Sequence, residues 1–315
     1  IDENKIYFIS DSRYAEYAKN ILSKNILFKQ QEGDGNLFIK EICKQESIKQ
    51  LYFEEHSLPF SQYKALKKSL RGVKLIPGED VVNDVRMIKE PEEIEILKKA
   101  ARITDRCFNH LLKYITEGMT EWEVAIEIES FYKKNGCTSV SFPSIVASGP
   151  GSSMPHYETS MTKKIQKGDV LLIDMGCVYE GYNSDMTRTV FIDAPDPELG
   201  KIYEIVKESQ MEALTKARPG ITTGKLDSIA RNMINSAGYE QEFGHSLGHG
   251  YGLEVHEIPA VKKDGDVKIK KGMALTIEPG IYLPGKGGVR IEDMIIITKT
   301  ACEVLTKSPK DIIII

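Results

Sequence analysis

The sequence lacks the cysteine patterns that mark zinc fingers and disulfide-linked folds. Its five cysteines are scattered and odd in number, and they form neither a CxxC pair nor a Cys/His cluster. Free thiols of this kind fit a reducing compartment, so we expect a cytoplasmic protein. The sequence also lacks a signal peptide and an apolar run long enough to cross a bilayer, which argues against a membrane protein.

An excess of charge of one sign is lacking as well. The chain has 42 basic and 46 acidic residues, for a formal net charge of −4. This balance predicts neither a nucleic-acid partner nor a membrane partner. The 315 residues are 41% hydrophobic and 28% charged, as in ordinary globular proteins, and they suffice for one large or two smaller domains.

Two domains are predicted, covering residues 1–84 and 85–315. The first alternates short strands with helices, an α/β pattern that ends at Pro77-Gly78. Its predicted strands are 5–9, 50–53 and 73–76, and its predicted helices are 13–22 and 60–70. Because the chain opens with Ile1 inside a strand pattern, we expect this domain to lack its first residues.

The second domain is predicted to begin with two helices. Pro91 opens a long helix whose apolar positions follow helical spacing, namely Ile94, Leu97, Ala101, Phe108, Leu111 and Ile115. Thr120 and Glu123 form a capping-box pattern at the start of the next helix, which should end near Gly136. The last four residues, 312–315, are predicted to form a terminal strand.

The second domain contains an internal duplication. Gly118, Thr120, Val124 and Gly136 recur 102 residues later as Gly220, Thr222, Leu226 and Gly238. The segment 167–176, KGDVLLIDMG, recurs 104 residues later as KGMALTIEPG. We interpret this as a duplicated unit of two helices and a hairpin, forming one α+β domain with pseudo-two-fold symmetry and a site between its halves.

The duplication places Asp174 and Glu278 at equivalent positions, and each is followed by a second acid beyond a glycine-containing turn. If the strands pair in simple register, Asp174 and Asp185 lie directly opposite each other, with Cβ atoms roughly 5 Å apart. Glu278 and Glu292 follow the same logic. Four carboxylates on one face either take up protons or bind cations. The alternative is four hairpin salt bridges, which does not explain acids embedded in apolar strands.

The histidines indicate where the remaining donors lie. Only six are present, and His245, His249 and His256 fall within one glycine-rich segment, 244–257. His156 ends another loop rich in Gly, Ser and Pro, 149–156. His56 and His110 stand alone and are predicted to be structural or surface residues. One imidazole added to four carboxylates favours Mn, Fe, Co or Zn over Mg, and two ions roughly 3.5–4 Å apart would fit the acids.

These segments resemble the pita-bread metallopeptidases, which include aminopeptidase P, prolidase and methionine aminopeptidase. The similar stretches are IDMGCVYEGYNSDMTRTV (173–190), GHSLGHGYGLEVHE (244–257), TIEPG (276–280) and VRIED (289–293). The resemblance extends over residues 86–315, and more weakly over residues 1–84, which are similar to the N-terminal domain of the proline-specific branch. It therefore implies a pita-bread catalytic domain that follows a smaller α/β domain.

The resemblance also implies the roles of individual residues. The metal ligands would be Asp174, Asp185, His249, Glu278 and Glu292, holding two divalent ions, of which Mn²⁺ is our choice and Co²⁺ or Zn²⁺ the alternatives. Glu278 would serve as the general base. His156 and His256 would act in catalysis and contact the substrate. His245 and Arg290 would complete the substrate site.

The function implied by this resemblance is hydrolysis of the bond between an N-terminal residue and a following proline, as in an Xaa-Pro aminopeptidase. One alternative is a prolidase, which accepts only Xaa-Pro dipeptides. A second is a metal-free binding module on the same fold, although all five ligand positions are filled here. A homodimer is expected on the strength of the resemblance.

Overall fold

The computed structural model describes residues 5–78 and 80–315. The chain divides into two compact units, one reaching to Val82 and the other starting at Asn83. Among the described residues, no helix has both the length and the apolar character needed to cross a membrane.

The first unit consists of parallel strand pairs joined through helices. Its elements are β1 (Ile6–Ser10), α1 (Ala15–Ile21), β2 (Ile26–Gln30), α2 (Gly35–Gln45), β3 (Gln50–Phe53), α3 (Phe60–Ser69) and β4 (Lys74–Pro77). Strand β1 pairs in parallel with β2, and β3 pairs in parallel with β4. Parallel neighbours need a crossover connection, which α1 and α3 supply. The α/β pattern is thus confirmed, although the sequence analysis missed β2 and α2.

The two helices predicted near the start of the second unit are present. After α4 (Val81–Met87), helix α5 spans Pro91–Tyr114 and α6 spans Glu121–Lys134. The predicted capping box is present, because the Thr120 hydroxyl accepts from the Glu123 amide and the Glu123 carboxylate accepts from the Thr120 amide. The predicted apolar stripe of α5 is buried at Leu97, Ala101, Phe108 and Leu111.

In each half two helices precede the strands, as the predicted unit of two helices and a hairpin requires. The first half continues with β5 (Ser139–Val140), β6 (Ile145–Ser148), β7 (Val170–Met175), β8 (Cys177–Tyr179), β9 (Tyr182–Asn183) and β10 (Met186–Phe191). The second half has α7 (Pro197–Lys216), α8 (Thr223–Ser236), β11 (Gly248–Gly250), β12 (Glu257–Val261), β13 (Ala274–Ile277), β14 (Gly280–Leu283), β15 (Gly287–Arg290), β16 (Asp293–Ile297) and β17 (Cys302–Val304). The main sheets have the orders β10-β7-β6 and β12-β11-β13-β16-β17.

The backbone confirms that the two halves are copies of one unit. Thr120 bridges to Lys164, and its repeat partner Thr222 bridges to Lys268. Glycines that are partners in the repeat have nearly the same positive φ: 90° at Gly118 and Gly220, 87° and 92° at Gly136 and Gly238, and 86° at both Gly168 and Gly272. Because L side chains rarely adopt these angles, the shared turns account for the glycines that made the repeat visible in the sequence.

Each half has its own apolar core behind its central strand. Ile173 of β7 packs in a cluster with α5 and α6 side chains, and Ile277 of β13 packs in a cluster with α7 and α8 side chains. Successive residues of a strand point to opposite faces. Asp174 and Glu278, each next in sequence to one of these isoleucines, are therefore directed away from the cores.

The prediction of a terminal strand at 312–315 was wrong in extent. Ile314 forms a single parallel bridge to Phe191, supported by the hydrogen bonds Phe191 N to Ile313 O and Ile315 N to Phe191 O. The apolar run reflects packing, because Ile312 contacts the second-half core while Ile313 and Ile315 contact the first-half core.

Candidate metal centre

One cavity of the second unit is lined by all nine residues predicted to form the site. Its volume is about 1200 Å³. The nine residues are Asp174, Asp185, His249, Glu278, Glu292, His156, His245, His256 and Arg290. Residues from both halves of the duplication therefore meet in one cavity, as the repeat predicted.

The two aspartates reach the cavity from adjacent strands, but not in the predicted register. Asp174 pairs with Thr187, so Asp185 is its diagonal neighbour rather than its direct partner. The reason is the turn: Glu180 and Gly181 both have positive φ and form a two-residue hairpin loop centred one residue later than we assumed. The shift is two positions along one strand, so both carboxylates remain on the same face.

The two glutamates obey the predicted register. The β14–β15 hairpin pairs Gly280 with Arg290, and the β13–β16 ladder pairs Ile277 with Asp293. Residues 278–279 and 291–292 lie between these two ladders. Because both ladders have the same register, Glu278 lies opposite Glu292. Both side chains are largely shielded, and Glu292 is only 2% exposed.

His249 enters the cavity from β11, a strand that fits only because glycines flank the histidine. A Cβ atom on Gly248 would lie 2.0 Å from the carbonyl oxygen of Thr276, and one on Gly250 would lie 2.4 Å from that of Ile258. No larger residue can be accommodated at such distances from rigid backbone. The Gly-His-Gly sequence therefore allows β11 to lie between β12 and β13 and to project one imidazole.

Hydrogen bonding fixes which nitrogen of His249 faces the acids. Its Nδ1 lies 2.9 Å from the carbonyl oxygen of Gly250, which can only accept, so Nδ1 carries the proton. Burial lowers the pKa of His249 and favours the neutral ring. The Nε2 lone pair then faces Glu278 Oε1 at 3.3 Å and Asp185 Oδ2 at 3.6 Å. Three electron-rich atoms converge there, an arrangement that a cation would stabilise.

Burial, reinforced by neighbouring carboxylates, raises the pKa values of Asp185, Glu278 and Glu292. Burial, followed by the charges of Glu292, Asp174 and Glu278, raises the pKa of Asp185 well above its ordinary value. Burial and the charges of Glu278 and Asp174 do the same for Glu292. Burial is also the main cause that raises the pKa of Glu278, to about 7. Carboxylates held this close are costly without a compensating positive charge.

Two buried oxygens show where that charge would be bound. Oδ1 of Asp174 and Oε1 of Glu292 are inaccessible to solvent and have no hydrogen-bond partner among the described residues. The other oxygen of each group is satisfied, by Arg290 at 2.6 Å and by Thr187 at 2.7 Å respectively. Buried polar atoms normally have partners. The donor set therefore fits divalent cations on chemistry as well as on position.

The five predicted ligands are not equally close. Donor atoms of Asp185, His249 and Glu292 all lie within 4.8 Å of one another. Asp174 and Glu278 stand outside this group of three and are anchored separately, Asp174 by Arg290 and Glu278 by the Thr276 hydroxyl at 3.0 Å.

The other histidines surround this cluster in different ways. His256 lies against His249, with ring centroids 4.4 Å apart, and burial lowers its pKa. His156 lies on a loop held by Glu121, a fully buried carboxylate that accepts from the Ser148 amide and the Tyr157 hydroxyl. His56 and His110 do not line this cavity; His110 packs beside Tyr114 and Phe131.

Three hydroxyl groups that hold the side chains of the cavity were not predicted from the sequence. Tyr282 accepts from Arg290 Nη1 at 3.0 Å and lies 2.9 Å from His245 Nε2, while Thr187 and Thr276 donate to Glu292 and Glu278. Strand periodicity could have found them, because Thr187 lies two residues from Asp185 and Thr276 two residues from Glu278. Tyr282 lies on the same face, four residues beyond Glu278.

Comparison with known proteins agrees with this geometry. Residues 95–299 match Metallopeptidase family M24, and residues 1–88 match the Creatinase/Prolidase N-terminal domain. An Xaa-Pro dipeptidase of Pyrococcus horikoshii is 46% identical over 268 residues, which are 85% of this chain and 76% of that protein.

Two solved structures are similar over the whole chain. An Xaa-Pro dipeptidase from Bacillus anthracis has a TM-score of 0.97 at 42% identity and is matched over 88% of its length. An X-Pro aminopeptidase from Thermotoga maritima has a TM-score of 0.92 at 39% identity and is matched over 89% of its length. The fold, the metal-binding chemistry of the site and these similarities together show that the chain belongs to metallopeptidase family M24.

Proposed function

We propose that this chain is an Xaa-Pro dipeptidase, which hydrolyses the bond between an N-terminal residue and a C-terminal proline. The observation that carries the proposal is one cavity lined by four carboxylates and the His249 imidazole, in which two buried carboxylate oxygens have no hydrogen-bond partner among the described residues. The names of relatives favour the dipeptidase over the aminopeptidase that the sequence analysis expected, because dipeptidases match at 46% and 42% identity.

Five residues would hold two divalent ions, with manganese our choice and cobalt or zinc the alternatives: Asp174, Asp185, His249, Glu278 and Glu292. Such ions supply Lewis acidity, which polarises the substrate carbonyl and makes water nucleophilic near neutral pH. Thr187, Thr276 and Arg290 would keep the carboxylates in position through the hydrogen bonds described above.

The remaining steps fall to side chains of this protein. Glu278 would accept a proton from the attacking water at its carboxylate and pass it to the departing proline nitrogen as the C–N bond breaks. His256 and His156 would donate hydrogen bonds to the oxygen that becomes negative in the tetrahedral intermediate. The proline nitrogen in a peptide bond carries no hydrogen. A general peptidase site that binds a peptide N–H at this position would therefore reject an Xaa-Pro substrate.

The second candidate is the Xaa-Pro aminopeptidase, which accepts longer peptides. The size of the cavity favours it: about 1200 Å³ exceeds the roughly 300–1,000 Å³ of ordinary small-molecule sites, which leaves room beyond a dipeptide. The similarity to the Thermotoga maritima aminopeptidase also supports this candidate.

The deciding experiment compares two substrates on one preparation. The protein is stripped of metal, given Mn(II), and assayed on Ala-Pro and Ala-Pro-Ala at equal concentrations. We expect Ala-Pro to be cleaved at least tenfold faster. An Asp185→Asn variant should be inactive on both, whereas Glu198→Gln, which alters an exposed acid outside the cavity, should match the unchanged protein.

The other outcomes have definite meanings. Efficient release of alanine from Ala-Pro-Ala would replace the dipeptidase by the aminopeptidase. Absence of both bound metal and turnover would contradict both and favour a binding module. The homodimer and the cytoplasmic location stay predictions, to be tested by light scattering and cell fractionation.

A further inference from the structure

An ion pair on α8 does not line the cavity of the candidate metal centre, but it bonds to a loop whose residues His245 and Ser246 do. Asp227 is 1% exposed, and Arg231 follows it by one helical turn. The guanidinium makes two parallel hydrogen bonds to the carboxylate, Nε to Oδ2 at 2.7 Å and Nη2 to Oδ1 at 2.8 Å. Such a bidentate pair fixes the orientation of both groups.

Both members of the pair also bind the loop that carries His245. Arg231 donates to the carbonyl oxygens of Phe243 at 2.9 Å and His245 at 2.8 Å. Asp227 Oδ1 accepts from the backbone amide of Leu247 at 3.2 Å. The guanidinium also lies 4.2 Å from the centre of the Phe243 ring. The pair therefore holds the loop at three backbone positions, at residues 243, 245 and 247.

The loop in turn determines how His245 faces the cavity. Its Nδ1 donates to the carbonyl oxygen of Ser246 at 2.7 Å, so in the neutral ring Nε2 is the acceptor. The Tyr282 hydroxyl, which accepts from Arg290, donates to that nitrogen. The loop also accepts a hydrogen bond from the Glu278 amide at Leu247 O, 2.8 Å. A shift of the loop would thus move His245 relative to both Tyr282 and Glu278.

We propose that Asp227 and Arg231 are positioning residues for hydrolysis, acting through the backbone of loop 243–247 to fix His245 against Tyr282 in the substrate site. This inference rests on the proposed function for its kinetic consequence. Neither residue contributes a donor atom to the carboxylate cluster, so their effect should be on turnover and not on metal content.

The geometry makes Arg231→Lys the informative variant. Lysine keeps the positive charge, but a single ammonium cannot reproduce the planar fork that contacts one carboxylate and two carbonyl groups at once. We expect kcat/KM for Ala-Pro to fall at least tenfold, with bound Mn(II) per chain unchanged. Arg106→Gln is the control, because Arg106 is an exposed α5 residue that bonds to Asn135.

Combination with His245→Ala tests the route of action. If Arg231 acts through His245, adding Arg231→Lys to His245→Ala should cause less than a twofold further loss. An equal tenfold loss in both backgrounds would overturn the proposal, since it would indicate a general structural role. Arg231→Lys activity within twofold of the unchanged protein would overturn it as well.

A second measurement is independent of activity. Hydrogen exchange of the peptide covering residues 243–250 should be faster in Arg231→Lys, while that of α5 should be unchanged. Unchanged hydrogen exchange in this peptide would refute the proposal that Asp227 and Arg231 hold the loop. If the unmodified protein hydrolyses neither peptide, the proposed function fails, and loop exchange still decides whether the pair holds the loop.

Discussion

Replacing Asp185 by asparagine removes a charge from the candidate metal centre without changing the size of the side chain. Asp185 is 4% exposed, and its Oδ2 lies 3.6 Å from His249 Nε2. The amide offers one acceptor oxygen where the carboxylate offers two, and it carries no negative charge. We expect the variant to lose at least one of two bound Mn(II) ions.

The expected rise in Tm on Mn(II) binding follows from the binding free energy of the ion and from the number of residues in the second unit. An ion present at 100 times its Kd stabilises the folded state by about 2.7 kcal/mol. For a unit the size of residues 83–315, about 1 kcal/mol corresponds to roughly 2–4 °C in Tm. Mn(II) should therefore raise the Tm of the unchanged protein by about 5–10 °C per ion, and that increment should shrink or vanish in Asp185→Asn.

The assay is thermal melting with and without Mn(II), together with metal analysis after gel filtration. Without metal, the variant should melt no lower than the unchanged protein, because one of several neighbouring buried charges is gone. The matched control is Asp105→Asn, a buried acid that accepts from the Lys307 and Ser308 amides outside the cavity. It should lower Tm equally in both conditions. If Asp185→Asn still binds two Mn(II) ions and shows the full rise in Tm on adding Mn(II), the proposed metal centre is refuted.

Three further predictions concern single side chains. His256→Ala should retain both ions but lower kcat roughly a hundredfold, measured with Ala-Pro; loss of metal would mean that His256 is a ligand. The pKa of His245 is lowered to about 4 by burial and Arg290, so the unfolded chain binds a proton that the folded protein does not between pH 6.5 and 4. Stability should fall as pH falls through this window, by up to about 3 kcal/mol, and urea unfolding of His245→Gln should lack that component. Gly248→Ala should lower the free energy of unfolding by about 3 kcal/mol or more, because its Cβ would lie 2.0 Å from the Thr276 carbonyl oxygen. Gly244→Ala is the control and should leave the free energy of unfolding nearly unchanged, because the space around that position is open.

Much of the fold was predictable because local rules and the duplication point the same way. The capping box at Thr120 and the apolar stripe of α5 follow from spacing alone, and the paired glycines mark turns that both halves share. The elements missed include β2 and α2 of the first unit, where no second copy of the pattern exists to compare, and short strands of the second unit such as β5, β12 and β17. Short elements without strong periodicity are ambiguous in a single sequence.

The residues that line the cavity were predictable, but the register of the strands and the hydrogen bonds that support the acids were not. Identity of the acids follows from charge placed inside apolar strands, whereas the offset between Asp174 and Asp185 depends on turn dihedrals at Glu180 and Gly181. Contacts such as Arg231 with the His245 carbonyl join side chain to backbone across 14 residues. A residue pattern cannot predict such a hydrogen bond, because the backbone carbonyl group that accepts it is present in every residue.

The duplication also explains why the five proposed metal ligands include a single imidazole. Ser148 pairs with Leu171, and Gly250 pairs with Leu275, the repeat partner of Leu171. The strands β6 and β11 are therefore equivalent, and the counterpart of His249 is Ala147, a buried residue with no donor atom. Of the proposed metal ligands, one half would thus supply only carboxylates, while the other would supply carboxylates and a nitrogen. Since nitrogen ligands favour transition metals over hard cations, two ions held there would occupy chemically different positions despite the internal duplication.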